Sequence, residues 1–213
     1  MPSRFPKPLF LVAVLAAAIF SSCQSLPEET NMAVYSRPFL KDEFSGPVKG
    51  DTAPRFVAST LDGKTYQFPP KSGRSTLLVT GSYTCPIFRT NIPGLRAIHR
   101  DFGDQVDMFY LYTTEAHPVG SNSPYRDSEW VTRPNKTDGV LLDQPTTFEQ
   151  RLARAQEAQS KLDLPLKVLV DGIENSGWKA YGKAPSAAYL ISPEGLILIR
   201  QPWVNPAALK EAF

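Results

Sequence analysis

Cysteine and histidine are scarce in this chain, with two of each in 213 residues. Two cysteines make no disulfide framework if one is committed elsewhere, and two histidines are too few for most metal sites, so no metal centre is expected. Basic runs are also missing. The net charge of +2 is spread along the chain, and there is no zinc-finger spacing, glycine-rich phosphate loop or heptad series. Nothing in the sequence supports nucleic-acid binding. With 42% hydrophobic residues the chain can bury one proper core, which makes a single domain the default once the N-terminus is set aside.

One apolar run stands apart. Arg4 and Lys7 precede twelve apolar residues, Leu9 to Phe20, and Ser21-Ser22-Cys23 follows, the charged, apolar and small-residue order of an export signal. The run is too short to span a bilayer comfortably. The Phe20-Ser21-Ser22-Cys23 junction resembles a bacterial lipoprotein processing site, with Phe20 in place of the usual leucine, which implies lipidation of Cys23. The alternative is an ordinary signal cut nearby, with Cys23 a spare thiol. The expected organisation is therefore a signal over 1–23, a tether over 24–47 and a folded domain over 48–213. The expected location is the bacterial cell envelope, anchored to a membrane by lipid and facing the periplasm or exterior.

Within the domain, Asp62-Gly63 between apolar segments signals a β-hairpin. Ser75 to Thr80 reads as a buried strand. The apolar positions Phe88, Ile92, Leu95, Ile98 and Phe102 recur at helical spacing and predict one buried helix face, with Pro93 expected to kink the helix. Val106 to Thr113 reads as a strand, and Val119 to Pro145 as a long loop of the kind that is usually functional or disordered. A helix capped by Thr146 with Glu149 should extend to Leu162. A short strand (Lys167 to Val170), a short helix (Asn175 to Tyr181) and a hairpin (Ala187–Ile191 with Leu196–Arg200) follow. A last helix is capped by Asn205. Mixed strands and helices in this order predict an α/β fold, a mixed central sheet with helices on both faces.

Cys85 is placed where a strand hands over to a helix. Free backbone N–H groups and the positive end of the helix dipole there favour a thiolate, the form that attacks electrophiles. Pro86 suits the first helical turn. A buried, inert cysteine is the competing reading. His117, at the end of the next strand, titrates near neutral pH and is a candidate acid/base or substrate hydrogen-bond donor, with Glu115 to orient it. Each has a bland alternative as a surface loop residue. Ser82, Tyr83 and Thr84 are candidate hydroxyl donors to substrate, although turn chemistry also explains the Ser and Thr. Arg89 could hold the thiolate or an anionic substrate, or lie on the helix surface. Trp130 and Trp203 could wall a pocket or sit in the core. Asn135-Lys136-Thr137 fits a glycosylation pattern, which carries no meaning in a lipoprotein.

Over roughly residues 48 to 213 the chain resembles the thioredoxin-like superfamily. The resemblance rests on Gly50-Asp51-Thr52-Ala53-Pro54-Arg55-Phe56, Leu61-Asp62-Gly63-Lys64, the Cys85-Pro86 helix start, Arg89, Pro93 and Pro185. It implies that Pro185 is a cis-proline facing the active thiol, and it puts Phe88 in the place of the second cysteine of a Cys-x-x-Cys pair. The closer match is to the iodothyronine deiodinase family and its bacterial relatives. That family has Gly-Ser-Cys-Thr-selenocysteine-Pro-x-Phe where this chain has Gly81-Ser82-Tyr83-Thr84-Cys85-Pro86-Ile87-Phe88, and Glu-Ala-His where it has Glu115-Ala116-His117. Pro202-Trp203 with Asn205-Pro206 looks like the family's C-terminal pattern. Cys85 thus stands for the selenocysteine, and Tyr83 for a nearby cysteine that can help regenerate the enzyme. Peroxiredoxins are more distant: Ser82 fills their hydroxyl position, but Leu78 stands where their proline should be.

The resemblance implies a membrane-tethered thiol oxidoreductase with one active cysteine and no bound cofactor. An external thiol or partner protein would supply the reductant, and the substrate would be a small molecule or a thiol compound. The alternatives are a one-cysteine peroxidase and a non-catalytic binding module of the same fold.

Overall fold

The computed structural model describes residues 45–213. The export signal, the tether up to that point and the lipidation site at Cys23 lie outside the described residues. The hairpin around Asp62-Gly63 forms as β1 (Phe56–Thr60) and β2 (Thr65–Phe68), with Gly63 at a φ of 79°, the left-handed turn position that glycine adopts without a Cβ clash. The apolar run becomes β3 (Ser75–Gly81), followed by α1 (Pro86–Phe102) and β4 (Val106–Tyr112). Next come α2 (Arg133–Asp138), α3 (Phe148–Leu162), β5 (Lys167–Val170) and α4 (Ser176–Ala180). The chain closes with β6 (Ala188–Ile191), β7 (Ile197–Gln201) and α5 (Pro206–Lys210).

The seven strands form one sheet in the order β2-β1-β5-β4-β3-β6-β7. Its centre, β5-β4-β3, is parallel, and the flanking pairs are antiparallel. Central strands are buried on both faces, which is why β3 and β4 read as continuous apolar runs rather than alternating ones. Ile92, Leu95 and Ile98 of α1 pack on one face with Ala155 and Ala158 of α3 and Leu209 of α5. On the other, Gly177 of α4 lies so close to Leu111 and Phe56 that a Cβ would meet them at 2.8 and 3.0 Å. The mixed sheet with helices on both faces is therefore present.

Two expectations change. The segment from Val119 to Pro145 is not a bare loop: it carries α2, capped by Thr132, and it buries Ser123, Tyr125 and Asn135. The cap of α3 is Thr147 rather than Thr146. Thr147 accepts from the Gln150 N–H, and the Gln150 side chain accepts in return from the N–H groups of both threonines, so Gln150 rather than Glu149 closes the capping box. Pro93 lies inside α1, which runs to Phe102 as its apolar spacing predicts.

The register of β3 with β4 positions the site. Gly81 pairs with Tyr112, and the Thr113 N–H donates to the Gly81 carbonyl at 2.9 Å. Residues 82–85 and 113–117 therefore leave the sheet side by side, at the carboxyl ends of adjacent parallel strands, where α/β sheets bind their ligands.

Candidate active site

Cys85 is the N-cap residue of α1, with extended backbone (φ −80°, ψ 108°) and Pro86 opening the helix. Its own N–H donates to the Ser82 carbonyl at 3.1 Å, closing the turn that brings the sulfur to the helix start. The backbone N–H groups of Phe88 and Ile87 and the Arg89 guanidinium all favour the thiolate. Burial opposes them and wins. Only 1% of Cys85 is exposed, and desolvation pushes its thiol up to about 11. The expectation of an easily ionised thiol is thus corrected for this closed arrangement: the helix start is there, but water is not.

Gly81 allows the packing beneath the turn, since a Cβ at that position would meet the Phe88 ring at 2.8 Å. Phe88, at the position of a resolving cysteine, is fully buried and stacks on Tyr110 at 4.5 Å.

Glu115 is fully buried between the two strand ends. Its Oε2 accepts from the Thr84 N–H at 2.9 Å and the Thr84 hydroxyl at 2.6 Å, and its Oε1 from the Tyr112 hydroxyl. Desolvation raises its pKa, and these donors pull it back. Glu115 does not orient His117, because its side chain faces Thr84 and Tyr112. His117 is held instead by Nδ1 against the Trp130 carbonyl at 3.0 Å, with the Trp130 ring edge-on at 4.3 Å. A carbonyl only accepts, so Nδ1 carries the proton and Nε2 is the bare nitrogen. Burial, with help from Arg89 and Arg126, lowers the His117 pKa to about 4 and keeps the ring neutral.

The proposed hydroxyl donors separate. Ser82 and Thr84 are fully buried: the Ser82 hydroxyl accepts from the Ala116 N–H at 3.0 Å, and the Thr84 hydroxyl accepts from the His117 N–H at 3.0 Å while donating to Glu115. These hydroxyls lock the two strand ends together. Tyr83 is half-buried. Arg89 is tied down as well, through Nη1 to the Tyr83 carbonyl (2.8 Å) and Asn135 Oδ1 (2.9 Å), and through Nη2 to Asp138 (2.8 Å). Its place is that of a strut behind the turn.

Pro185 is buried, but the Ala184–Pro185 bond is trans; among the described residues the cis peptide bond is Phe68–Pro69. The expected cis-proline is thereby corrected. Gly182 and Lys183, at φ of 86° and 59°, turn the chain before it reaches Pro185. Trp203 packs against the other face of the sheet.

Two residues that hold the site were missed. Asn135 is fully buried and its Nδ2 donates to the Thr84 carbonyl at 2.9 Å. Gln144 accepts from the Glu115 N–H at 2.8 Å and donates to the Thr114 hydroxyl at 2.7 Å. The signal for Asn135 was the Thr132-x-Pro134 helix start just before it, which places it inside a capped turn. Gln144 had none. Among the described residues no group of three or more His, Cys, Asp or Glu is arranged to hold a metal ion.

Residues 21–202 match the family model for iodothyronine deiodinase. The chain belongs to the iodothyronine deiodinase family. The type II iodothyronine deiodinase of Fundulus heteroclitus is 27% identical over 115 residues, 53% of this chain and 40% of that protein. The human type II enzyme is 27% identical over 106 residues, 49% and 36% of the two chains. The thyroxine 5-deiodinase of Sparus aurata is 26% identical over 131 residues, 60% and 43%. This chain thus spans less than half the length of these deiodinase relatives. Two solved structures share its thioredoxin-like fold. A thiol:disulfide interchange protein from Bacteroides sp. has a TM-score of 0.55 at 14% identity, covering 78% of this chain and 87% of its own. The thioredoxin domain of a thiol-disulfide oxidoreductase from Bacteroides vulgatus has a TM-score of 0.54 at 13% identity, covering 78% and 99%.

Proposed function

We propose that this deiodinase-family protein is a thiol-dependent oxidoreductase in which Cys85 is the nucleophile and an external thiol the reductant. The observation that carries this reading is the sulfur at the start of α1, faced by the N–H groups of Ile87 and Phe88. The acid/base role falls to His117, whose Nε2 is bare, and it requires substrate to open the site first, because in this closed arrangement a ring at about 4 is too weak a base for a thiol at about 11. With a disulfide substrate, the thiolate bonds to one sulfur and expels the other as thiolate. With an iodoaromatic substrate, sulfur takes iodine, the ring carbon takes a proton, and two external thiols restore Cys85 by forming their own disulfide and releasing iodide and a proton. Tyr83 and Phe88 occupy the neighbouring positions where related proteins place a second thiol, so regeneration falls to a small thiol or a partner protein.

The first 23 residues support export and lipid anchoring through Cys23, with the domain held at the surface of a membrane of the bacterial envelope. No helix among the described residues is long and apolar enough to cross a membrane.

Burial of the thiol favours a second reading, a non-catalytic binding module. One experiment separates the two. The purified full chain is exposed to one equivalent of peroxide, disulfide or iodoaromatic compound, the adduct on Cys85 is identified by mass, and turnover is followed with and without added thiol. The catalytic reading expects an adduct on Cys85, turnover only with external thiol, and loss of both in Cys85→Ser. It also expects a fall of about 10²-fold or more in His117→Ala. Full activity in Cys85→Ser, or no adduct with any of the three, defeats it.

A further inference from the structure

Asn135 is the only buried residue of α2, and the helix is built to hold it in place. Its N–H donates to the hydroxyl of the cap residue Thr132 at 3.3 Å. Its carbonyl accepts from the Val140 N–H at 2.9 Å and from the Gly139 N–H, with Gly139 at a φ of 68° turning the chain back to make both bonds. Both main-chain groups of Asn135 are thus fixed before its side chain is considered.

The side-chain amide stands between a donor and an acceptor. Oδ1 accepts from Arg89 Nη1 at 2.9 Å, and Nδ2 donates to the Thr84 carbonyl at 2.9 Å. A carboxylate in this place would only accept, and an aliphatic chain would do neither. The carbonyl matters because it belongs to the peptide that joins Thr84 to Cys85. The other polar groups of Thr84 are held from the end of β4. Glu115 accepts from its N–H at 2.9 Å and its hydroxyl at 2.6 Å, and the His117 N–H donates to that hydroxyl at 3.0 Å. On the far side of the peptide, the Cys85 N–H donates to the Ser82 carbonyl at 3.1 Å. The planar Thr84–Cys85 peptide is therefore pinned at both polar ends, and Cys85 with it, at the N-cap of α1. Without the Asn135 amide the Thr84 carbonyl would be a buried acceptor lacking its donor. Rotation of the peptide toward a new partner would carry the sulfur away from the free N–H groups of the first turn of α1.

We propose that Asn135 is a positioning residue for the nucleophile: its amide clamps the Thr84–Cys85 peptide from outside the sheet, and so fixes where the Cys85 sulfur stands at the start of α1. This role rests on the reading of Cys85 as nucleophile. It also gives α2 a purpose, since a six-residue helix with one buried residue contributes little to the core.

The test is the reaction of Cys85 in the full chain with methyl methanethiosulfonate, followed by mass as S-methylthiolation with release of methanesulfinate. It is run across pH 7 to 10 in the natural protein and in Asn135→Asp, which keeps the acceptor for Arg89 and removes the donor to Thr84. Rates are taken per folded molecule, with urea unfolding recorded on the same samples. A clamp on the nucleophile predicts labelling about ten- to hundredfold slower in Asn135→Asp throughout, the scale of a misplaced reacting atom. A merely structural role predicts the opposite sign, because a looser fold exposes the buried thiol more often and labels it faster. If Asn135→Asp does not fold, Thr132 carries the same test from outside the core. Thr132→Ala removes the cap that places Asn135 and should slow labelling about twofold or more, and Thr132→Ser, which keeps the capping hydroxyl, should return the natural rate. Equal or faster labelling in Asn135→Asp overturns the clamp; so does equal or faster labelling in Thr132→Ala where that variant stands in, or a Thr132→Ser rate as low as that of Thr132→Ala. The comparison needs no turnover: a natural protein inert toward every substrate defeats the functional reading without moving these ratios, and equal labelling rates in an active enzyme defeat the role of Asn135 alone.

Discussion

The two faces of the sheet are built from alternate residues of the same strands, yet they solve opposite problems. In β4, Phe109 and Leu111 join one core cluster, while Tyr110 and Tyr112 join the other. The first face is an aromatic group. Phe56 stacks on Phe68 at 4.9 Å, Phe109 meets Phe68 edge-on at 5.6 Å, and Tyr181 meets Tyr189 at 4.9 Å. Its phenol hydroxyls reach backbone carbonyls, Tyr181 to Pro54 at 2.9 Å and Tyr189 to Tyr181 at 2.8 Å. The second face buries Cys85, Glu115 and three tyrosines, Tyr110, Tyr112 and Tyr125, and leaves the Tyr110 hydroxyl unpaired. A strand that alternates every residue can thus assign packing to one face and titratable chemistry to the other.

Removing the packing tests that division hardest. Phe68→Ala should lower unfolding stability by about 3–5 kcal/mol, since it deletes a buried ring from the centre of the aromatic group. The rate of Cys85 labelling per folded molecule should stay as it was. Urea unfolding and labelling measured on the same samples decide it, and a parallel loss of Cys85 reactivity would mean that the faces are coupled.

The pH dependence of stability should belong to the other face. Folded His117 gives up its proton near pH 4 and the unfolded chain near 6.5. Between those values the unfolded chain binds the extra proton, so stability is complete above about 6.5 and is lost as pH falls toward 4, by on the order of 3 kcal/mol. Cys85 mirrors this on the alkaline side. Its thiol ionises near 9 when unfolded and near 11 when folded, so stability present below 9 is lost as pH rises toward 11. His117→Asn should flatten the acid limb and Cys85→Ser the onset of the alkaline one, above which the buried tyrosines of both faces, raised by desolvation, add their own loss, read from urea midpoints across pH. An acid limb unchanged in His117→Asn would place the dependence elsewhere.

Legibility in the sequence followed the same division. Apolar periods reveal β3, α1 and the face of α1 carrying Ile92, Leu95 and Ile98, because burial imposes a spacing that survives without coordinates. The position of Cys85 at a strand-to-helix junction was legible for the same reason. The tie from Arg89 through Asn135 to the Thr84 carbonyl was not, because it joins polar residues 46 and 51 positions apart and polar loop contacts impose no period. The sign of the Cys85 shift was missed because the helix start can be seen in a sequence and the exclusion of water cannot. The trans Ala184–Pro185 bond was missed because the cis form was implied by the resemblance alone, and nothing in the residues around it sets the isomer.

The smallest expected effect concerns the outer arm of Arg89. Its guanidinium is held by three acceptors of different exposure: the Tyr83 carbonyl and Asn135 in the interior, and Asp138, whose side chain is 51% exposed. An ion pair open to water gains little, because solvent and salt screen it and the side chains lose freedom in forming it. Asp138→Ala should therefore cost less than about 1 kcal/mol, with the difference shrinking further in high salt. Cys85 labelling should not change, because the turn behind the sulfur is held by the two interior acceptors. A salt series of urea unfolding for both proteins, with labelling in parallel, reads both effects. A loss of several kcal/mol, or a change in Cys85 labelling, would show that the surface pair tensions the turn and that the polar face depends on its rim as well as on its buried bonds.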